Sequence, residues 1–164
     1  MNLVSAYIFD MDGTLSLMNG RDPMELSKVF YDIPNIPIVR LFKDINGFKI
    51  ILTSIDESCK TKTEKWLKKH GIIFDLIIYR KKGDIRHNHT VKIELYNMYI
   101  KDNYNIITMF EDQPMIVNCF RELGLAVLQV NSGDEDKKAK NDMIWQFPFI
   151  NPKLPYEFSV KHYL

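Results

Sequence analysis

Residues 9–15 read Phe-Asp-Met-Asp-Gly-Thr-Leu (FDMDGTL) and continue directly from the apolar run SAYIF at 5–9. A short apolar run of this kind reads as a strand covered on both faces. It delivers Asp10, skips one residue, delivers Asp12, and then turns through Gly13 and Thr14. Two carboxylates in that arrangement suit attack on phosphorus. One serves as nucleophile, and the other protonates the leaving oxygen and later activates water. The pair also offers anionic oxygens to a hard cation such as magnesium. Gly13 lets the backbone turn sharply beside a phosphate. An Asp-Gly dipeptide alone is common in turns, but the whole stretch, placed after a buried strand, asks for more than a turn.

Outward from this stretch, strand-like and helix-like segments alternate. Residues 48–53 (FKIILT), 74–79 (FDLIIY), 106–110 (IITMF) and 125–130 (LAVLQV) are further strands, rich in aliphatic and aromatic side chains. Between them, 35–46 carries Ile36, Val39, Arg40 and Lys43 at helical spacing. Residues 57–70 turn Trp66 and Leu67 inward and stop at Gly71. Residues 90–101 place Val91, Leu95 and Met98 on one side, and 114–123 groups Ile116, Val117, Phe120 and Leu123 before Gly124. The alternation predicts an α/β fold, a parallel five-stranded sheet with helices on both faces. In such sheets ligands bind beyond the carboxyl ends of the strands. The conspicuous polar residues fall there: Asp10 and Asp12 after the first strand, Thr53 and Ser54 after the second, Glu111 and Asp112 after the fourth. Lys92 opens the helix that precedes the fourth strand.

The chain of 164 residues is the size of one domain, and 46% hydrophobic with 26% charged residues is a globular rather than a disordered composition. A net charge of +1 excludes a uniformly basic nucleic-acid binder; any such binding has to come from a local patch. There is no basic-then-apolar leader and no run of about 20 apolar residues, so no membrane partner is expected. Cys59 and Cys119 are too few for a disulfide scaffold. They are expected to be reduced thiols, which fits a cytoplasmic location. The histidines at 70, 87, 89 and 162 form no metal set. Residues 1–133 are expected to form the core. Residues 134–143 (DEDKKAKNDM) read as a solvated linker. The tail that follows, rich in aromatics and prolines, is expected to pack on the core as an apolar strap or to serve an oligomer contact.

At this point the sequence resembles the haloacid dehalogenase superfamily, whose phosphatases form an aspartyl-phosphate. FDMDGTL is similar to its first motif. The second motif, a Thr or Ser that binds the phosphoryl group at the end of the second strand, is matched by Thr53 in IILTSIDE. The third is a Lys near a helix start, which neutralises charge on phosphate and nucleophile; Lys92 in HTVKIEL matches it. Glu111-Asp112 in ITMFEDQP matches the acidic pair that completes the metal site, with Asp112 as the direct ligand and Glu111 supporting it. The resemblance implies a three-layer Rossmann-like fold. It also implies a magnesium held by Asp10, Asp12 and Asp112, and substrate contacts from the Gly13–Thr14 backbone and Ser54. The gaps 16–47 and 54–91 are too short for an inserted cap domain, so the site is expected to be capless and open to a macromolecular end.

A narrower likeness rests on MNGR at 18–21, GDIRHNHTVK at 83–92 and QVNSGD at 129–134. These resemble the 3′-phosphatase domains of T-even bacteriophage polynucleotide kinases. That likeness implies removal of 3′-phosphate from nucleic-acid ends in DNA or RNA repair, with Asn19 and Arg21 on a flap over the substrate and Arg86 as a further phosphate contact. Arginine suits such work because its planar fork matches phosphate oxygens. The chain departs from the pattern where Ser54 and Ile55 follow Thr53 in place of the usual Gly-Arg, which removes one cation. No G-x-x-x-x-G-K-[ST] phosphate loop is present, so 5′ phosphorylation is not expected. Two other readings stand beside this one. The same machinery would serve a phosphatase of small metabolites, nucleotides or phosphoproteins, and a degenerate site would serve only as a nucleic-acid-binding module.

Overall fold

The structure is a computed structural model, and it describes residues 3–18, 20 and 25–131. The expected linker and aromatic tail lie outside these residues, as do Asn19 and Arg21. Among the described residues are seven strands and four α-helices: β1 (Val4–Phe9), β2 (Ser16–Leu17), β3 (Ile33–Pro34), α1 (Ile36–Asp44), β4 (Phe48–Asp56), α2 (Lys60–Lys69), β5 (Leu76–Arg80), α3 (Asn88–Tyr99), β6 (Tyr104–Glu111), α4 (Pro114–Glu122) and β7 (Val127–Gln129). Five strands form one sheet in the order β5-β4-β1-β6-β7, and every pairing in it is parallel. The chain winds outward from β1 through β4 to β5, then crosses to β6 on the other side of β1. The direction of winding therefore reverses beside β1, the position at which doubly wound sheets bind ligands.

Alternation along the strands explains the two cores. Ala6 and Ile8 of β1, with Ile50 and Leu52 of β4, pack against Val91, Leu95 and Tyr96 of α3 and Ile116, Val117 and Phe120 of α4. Phe9 and Ile51 turn to the opposite face, against Phe42 of α1 and Trp66 and Leu67 of α2. Side chains two apart share a face, so the buried stretches of the central strands β1 and β4 are apolar on both sides, whereas β6 exposes Ile107 and β7 exposes Leu128. Burial on both faces is why the central strands read as continuous runs. Phe9 stacks on Phe110 at 4.4 Å between ring centroids and meets Phe42 edge-on at 4.6 Å, giving the sheet a rigid aromatic patch directly below its carboxyl edge. On the α2 side, the Trp66 indole donates to the Asp32 carbonyl at 2.7 Å.

Some apolar residues grouped by helical spacing in the sequence face solvent. Ile36 is 48% exposed, Met98 52% and Leu123 46%. Each lies at or near a helix end, past the reach of the sheet, and the buried stripes are Val39 with Phe42, Val91 with Leu95, and Ile116, Val117 and Phe120. Residues 57–59 form a 3-10 turn ahead of α2, with the Asp56 carboxylate accepting from the Ser58 N–H at 2.8 Å. The first interval holds a small antiparallel ribbon of β2 and β3, which the sequence reading did not anticipate, and a 3-10 turn at Leu26–Tyr31. Among the described residues no cap domain is inserted between β1 and β4 or between β4 and β5. Nor is any helix among them long and apolar enough to cross a membrane.

Candidate active site

The register of the sheet assembles the site. Phe9 is paired with Phe110, so the next residues, Asp10 and Glu111, sit side by side, and the Asp10 N–H donates to the Phe110 carbonyl at 2.9 Å. Phe9 is also paired with Ile51, which places Thr53 just past the same level on the neighbouring strand. From the α3 side the ammonium of Lys92 reaches in, wholly buried. It donates to Asp10 Oδ1 and, at 2.7 Å, to Glu111 Oε2. Glu111 Oε1 accepts from the Gln113 N–H at 3.1 Å, so both of its oxygens are engaged. Glu111, expected to support a metal, thus shares the Lys92 ammonium with Asp10.

Gly13 lies against Asp112. Its φ of +92° belongs to the left-handed region, and a Cβ built there would stand 2.1 Å from Asp112 Oδ2. The first and fourth motifs are therefore fitted to each other atom against atom, and only a glycine leaves room. The turn after β1 is closed by Gly13 N–H to the Ser16 carbonyl at 2.7 Å and Ser16 N–H to the Met11 carbonyl at 2.9 Å. The Ser16 hydroxyl donates to Asp12 Oδ1 at 3.3 Å, and Asp12 is half-buried, at the mouth of the site. Thr14 is buried in the same turn. The Thr53 hydroxyl accepts from the Ile55 N–H at 3.1 Å, which leaves its own hydrogen to donate.

Charge does not balance here. Oxygens of Asp10, Glu111 and Asp112 lie within 4.8 Å of one another, with one ammonium among them. Burial first, then the charge of Glu111, pushes the Asp10 carboxyl well above the usual carboxylate range, with Lys92 pulling the other way. Burial lowers Lys92, yet Asp10 and Glu111 outweigh it and hold the ammonium above the ordinary lysine value. Asp10 Oδ2 is buried and has no hydrogen-bond partner among the described residues. A buried carboxylate oxygen in that state, in a set of hard oxygen donors with surplus negative charge, fits a divalent cation such as magnesium.

Two expected positions differ. Arg86 stands apart from this group. Its guanidinium donates to Asp84 through Nε at 3.0 Å and Nη2 at 2.6 Å, and to Glu94 through Nη1 at 2.6 Å. Glu94 is two residues from Lys92, so it projects from the far side of α3. Arg86 is thereby drawn away from the face that meets Asp10, as the acidic neighbours at 84 and 94 dictate. Ile55, where related motifs carry arginine, is 2% exposed and part of the α2-side core, because β4 runs on through Ser54 and Ile55 to Asp56 without the turn a glycine would permit. Ser54 Oγ is buried there without a hydrogen-bond partner among the described residues.

The sequence reading missed Arg80, Asn88 and Gln113. Arg80, the last residue of β5, donates through Nη2 to Asn88 Oδ1 and through Nη1 to the Asp84 carbonyl at 3.0 Å. Asn88 Nδ2 reaches Gln113 Oε1 at 3.4 Å. A lone arginine and two amides carry no pattern in sequence. The available signal was the position of Asn88 four residues before Lys92, on the same helix face.

Comparison with known proteins bears on the family and the fold. The family model of the polynucleotide kinase PNKP phosphatase domain matches residues 4–134. Two solved structures, of a Pnkp1/Rnl/Hen1 complex and of a Pnkp1/Rnl/Hen1 RNA repair complex, contain chains 35% identical to this one. Each gives a TM-score of 0.75 and covers 80% of this chain, and the match takes in 47% and 44% of theirs. A protein of Autographa californica nuclear polyhedrosis virus, described as a bifunctional polynucleotide kinase/RNA ligase, is 25% identical over 127 residues, 72% of this chain and 18% of its own length. The chain thus spans less than half the length of each of these relatives. A haloacid dehalogenase-like hydrolase of Streptococcus pneumoniae shares the fold, with a TM-score of 0.53 at 16% identity over 77% of this chain and 84% of the other.

Proposed function

Because the chain belongs to the phosphatase-domain family of polynucleotide kinase PNKP, within the haloacid dehalogenase fold, we propose that it removes 3′-phosphate from nucleic-acid ends through an aspartyl-phosphate on Asp10. The buried contact of Lys92 with Asp10 and Glu111 carries this reading. It holds one oxygen of the nucleophile and leaves Oδ2 for phosphorus or a cation. Asp10 attacks in line, the bond from phosphorus to the 3′-oxygen breaks, and Asp12 gives that oxygen its proton. Asp12 then takes a proton from the water that displaces phosphate from Asp10. Thr53, through its free hydroxyl hydrogen, meets an equatorial oxygen and Lys92 offsets the charge there, whereas the Gly13 and Thr14 N–H groups, expected to touch the substrate, are taken up by the Ser16 and Met11 carbonyls. Asp10 and Asp112, with the Asp12 carbonyl, would hold the magnesium, which supplies charge neutralisation at the phosphoryl group.

The substrate class follows from two supports. No cap is inserted at the carboxyl edge among the described residues, which leaves room there for a polymer end, and the relatives are a polynucleotide kinase/RNA ligase and a chain from an RNA repair complex. Phosphate release from a 3′-phosphorylated oligonucleotide, a nucleoside 3′-phosphate and a phosphopeptide, with and without magnesium, tests it. Turnover should favour the oligonucleotide and need the metal, and Asp10→Asn should abolish it with the fold retained. Equal rates on all three would end the substrate assignment, and near-normal activity of Asp10→Asn would end the mechanism.

A further inference from the structure

We propose that Arg80 is a positioning residue for the Lys92–Asp10 centre, acting through Asn88; this rests on the phosphatase reading above. Arg80 is partly buried at the carboxyl end of β5, and its hydrogen bonds among the described residues go to neutral acceptors, the Asn88 side chain and the Asp84 carbonyl. Its Nε is buried and has no partner among those residues. A partly buried guanidinium that spends its Nη donors on neutral oxygens, with the Asp84 carboxylate acting on it by charge but not hydrogen-bonded to it among the described residues, fixes the orientation of those acceptors.

The chemistry of the contacts gives it direction. A guanidinium only donates, so Asn88 must offer Oδ1 to Arg80 and turn Nδ2 outward. Nδ2 then meets Gln113 Oε1. Gln113, fixed by that bond, uses its backbone N–H to hold Glu111 Oε1, and Glu111 Oε2 holds Lys92. Asn88 is also the first residue of α3, one turn before Lys92 on the same face. Arg80 therefore reaches Lys92 by two routes, along the helix and around through Gln113 and Glu111. Between them these routes span the sheet from β5 to the end of β6, enclosing the ends of β4 and β1, where Thr53 and Asp10 stand.

The test compares the wild type with Arg80→Gln, Arg80→Lys, Asn88→Ala and the Arg80→Gln/Asn88→Ala double variant, on para-nitrophenyl phosphate and on a 3′-phosphorylated oligonucleotide. Arg80→Gln and Asn88→Ala should each lower kcat about tenfold on both substrates, with KM held within about twofold. The double variant should be no slower than the single ones, as expected for residues acting in one chain. Arg80→Lys, which keeps one donor toward Asn88, should recover part of the loss. The side-chain ammonium resonance of Lys92 should shift in Arg80→Gln, a readout independent of turnover. A raised KM with kcat kept would place Arg80 on the substrate, and additive losses or an unmoved Lys92 resonance would remove the link to Asn88; each overturns the proposal. Asn88→Ala, at the helix start, carries the test if Arg80→Gln fails to fold. A wild type that cleaves para-nitrophenyl phosphate but not the oligonucleotide would sink the substrate class alone and leave Arg80 to be judged on the smaller ester.

Discussion

A hydrogen atom decides position 13. Any larger side chain there meets the Asp112 carboxylate, and φ of +92° strains every L-residue besides. Gly13→Ala should cost about 1–2 kcal/mol for the left-handed backbone alone. It must also displace Asp112 from the acidic cluster, so kcat should fall by far more than the stability change accounts for. Urea titration beside kcat measures the two effects; a variant that loses stability but keeps its rate would show that Asp112 is not needed where it stands. The same residue shows why this part of the site could be read in the sequence. Asp10, Asp12 and Gly13 crowd into four consecutive positions, and the chemistry they share is visible as spacing. Arg80 and Gln113 act through contacts between distant elements, and no local pattern announces them. Arg86 is an intermediate case: pairing with Asp84, two residues away, was legible as the alternative to a phosphate contact, while the second acid, Glu94, meets it only in the fold.

At the scale of the element, β4 is the instructive case. Its apolar run predicted a strand to residue 53, and the strand continues to Asp56, carrying Ile55 into the core against α2. The missing glycine and the missing arginine are thus one event, since without a turn at 54 the side chain at 55 faces inward. Ile55→Arg should therefore not restore a phosphate contact. It should place an unpaired charge among apolar side chains and destabilise the protein by about 3 kcal/mol or more, read as a lowered melting temperature with no gain in KM. A stable variant with improved KM would mean that the segment can turn after all. The other large strands were legible because burial on both faces writes itself as unbroken apolar sequence. The ribbon of β2 and β3 was not, for two residues a side leave no period to detect.

On the whole molecule, the sheet order and the two cores matter more than any surface feature. The winding reversal beside β1 brings the ends of β1 and β6 together, and the cores on either face close over everything beneath that edge. With 22 lysines and arginines against 21 acids, the exterior is nearly neutral. Lys92, fully enclosed and pinned between two acids, is withdrawn from that exterior. An acylating reagent added to the native protein would thus modify exposed amines such as Lys60 and Lys65 while sparing the one amine on which turnover depends. Peptide mapping after exhaustive acetylation should find residue 92 unmodified and hydrolysis of a small phosphate ester intact; only denaturant should open that amine to the reagent.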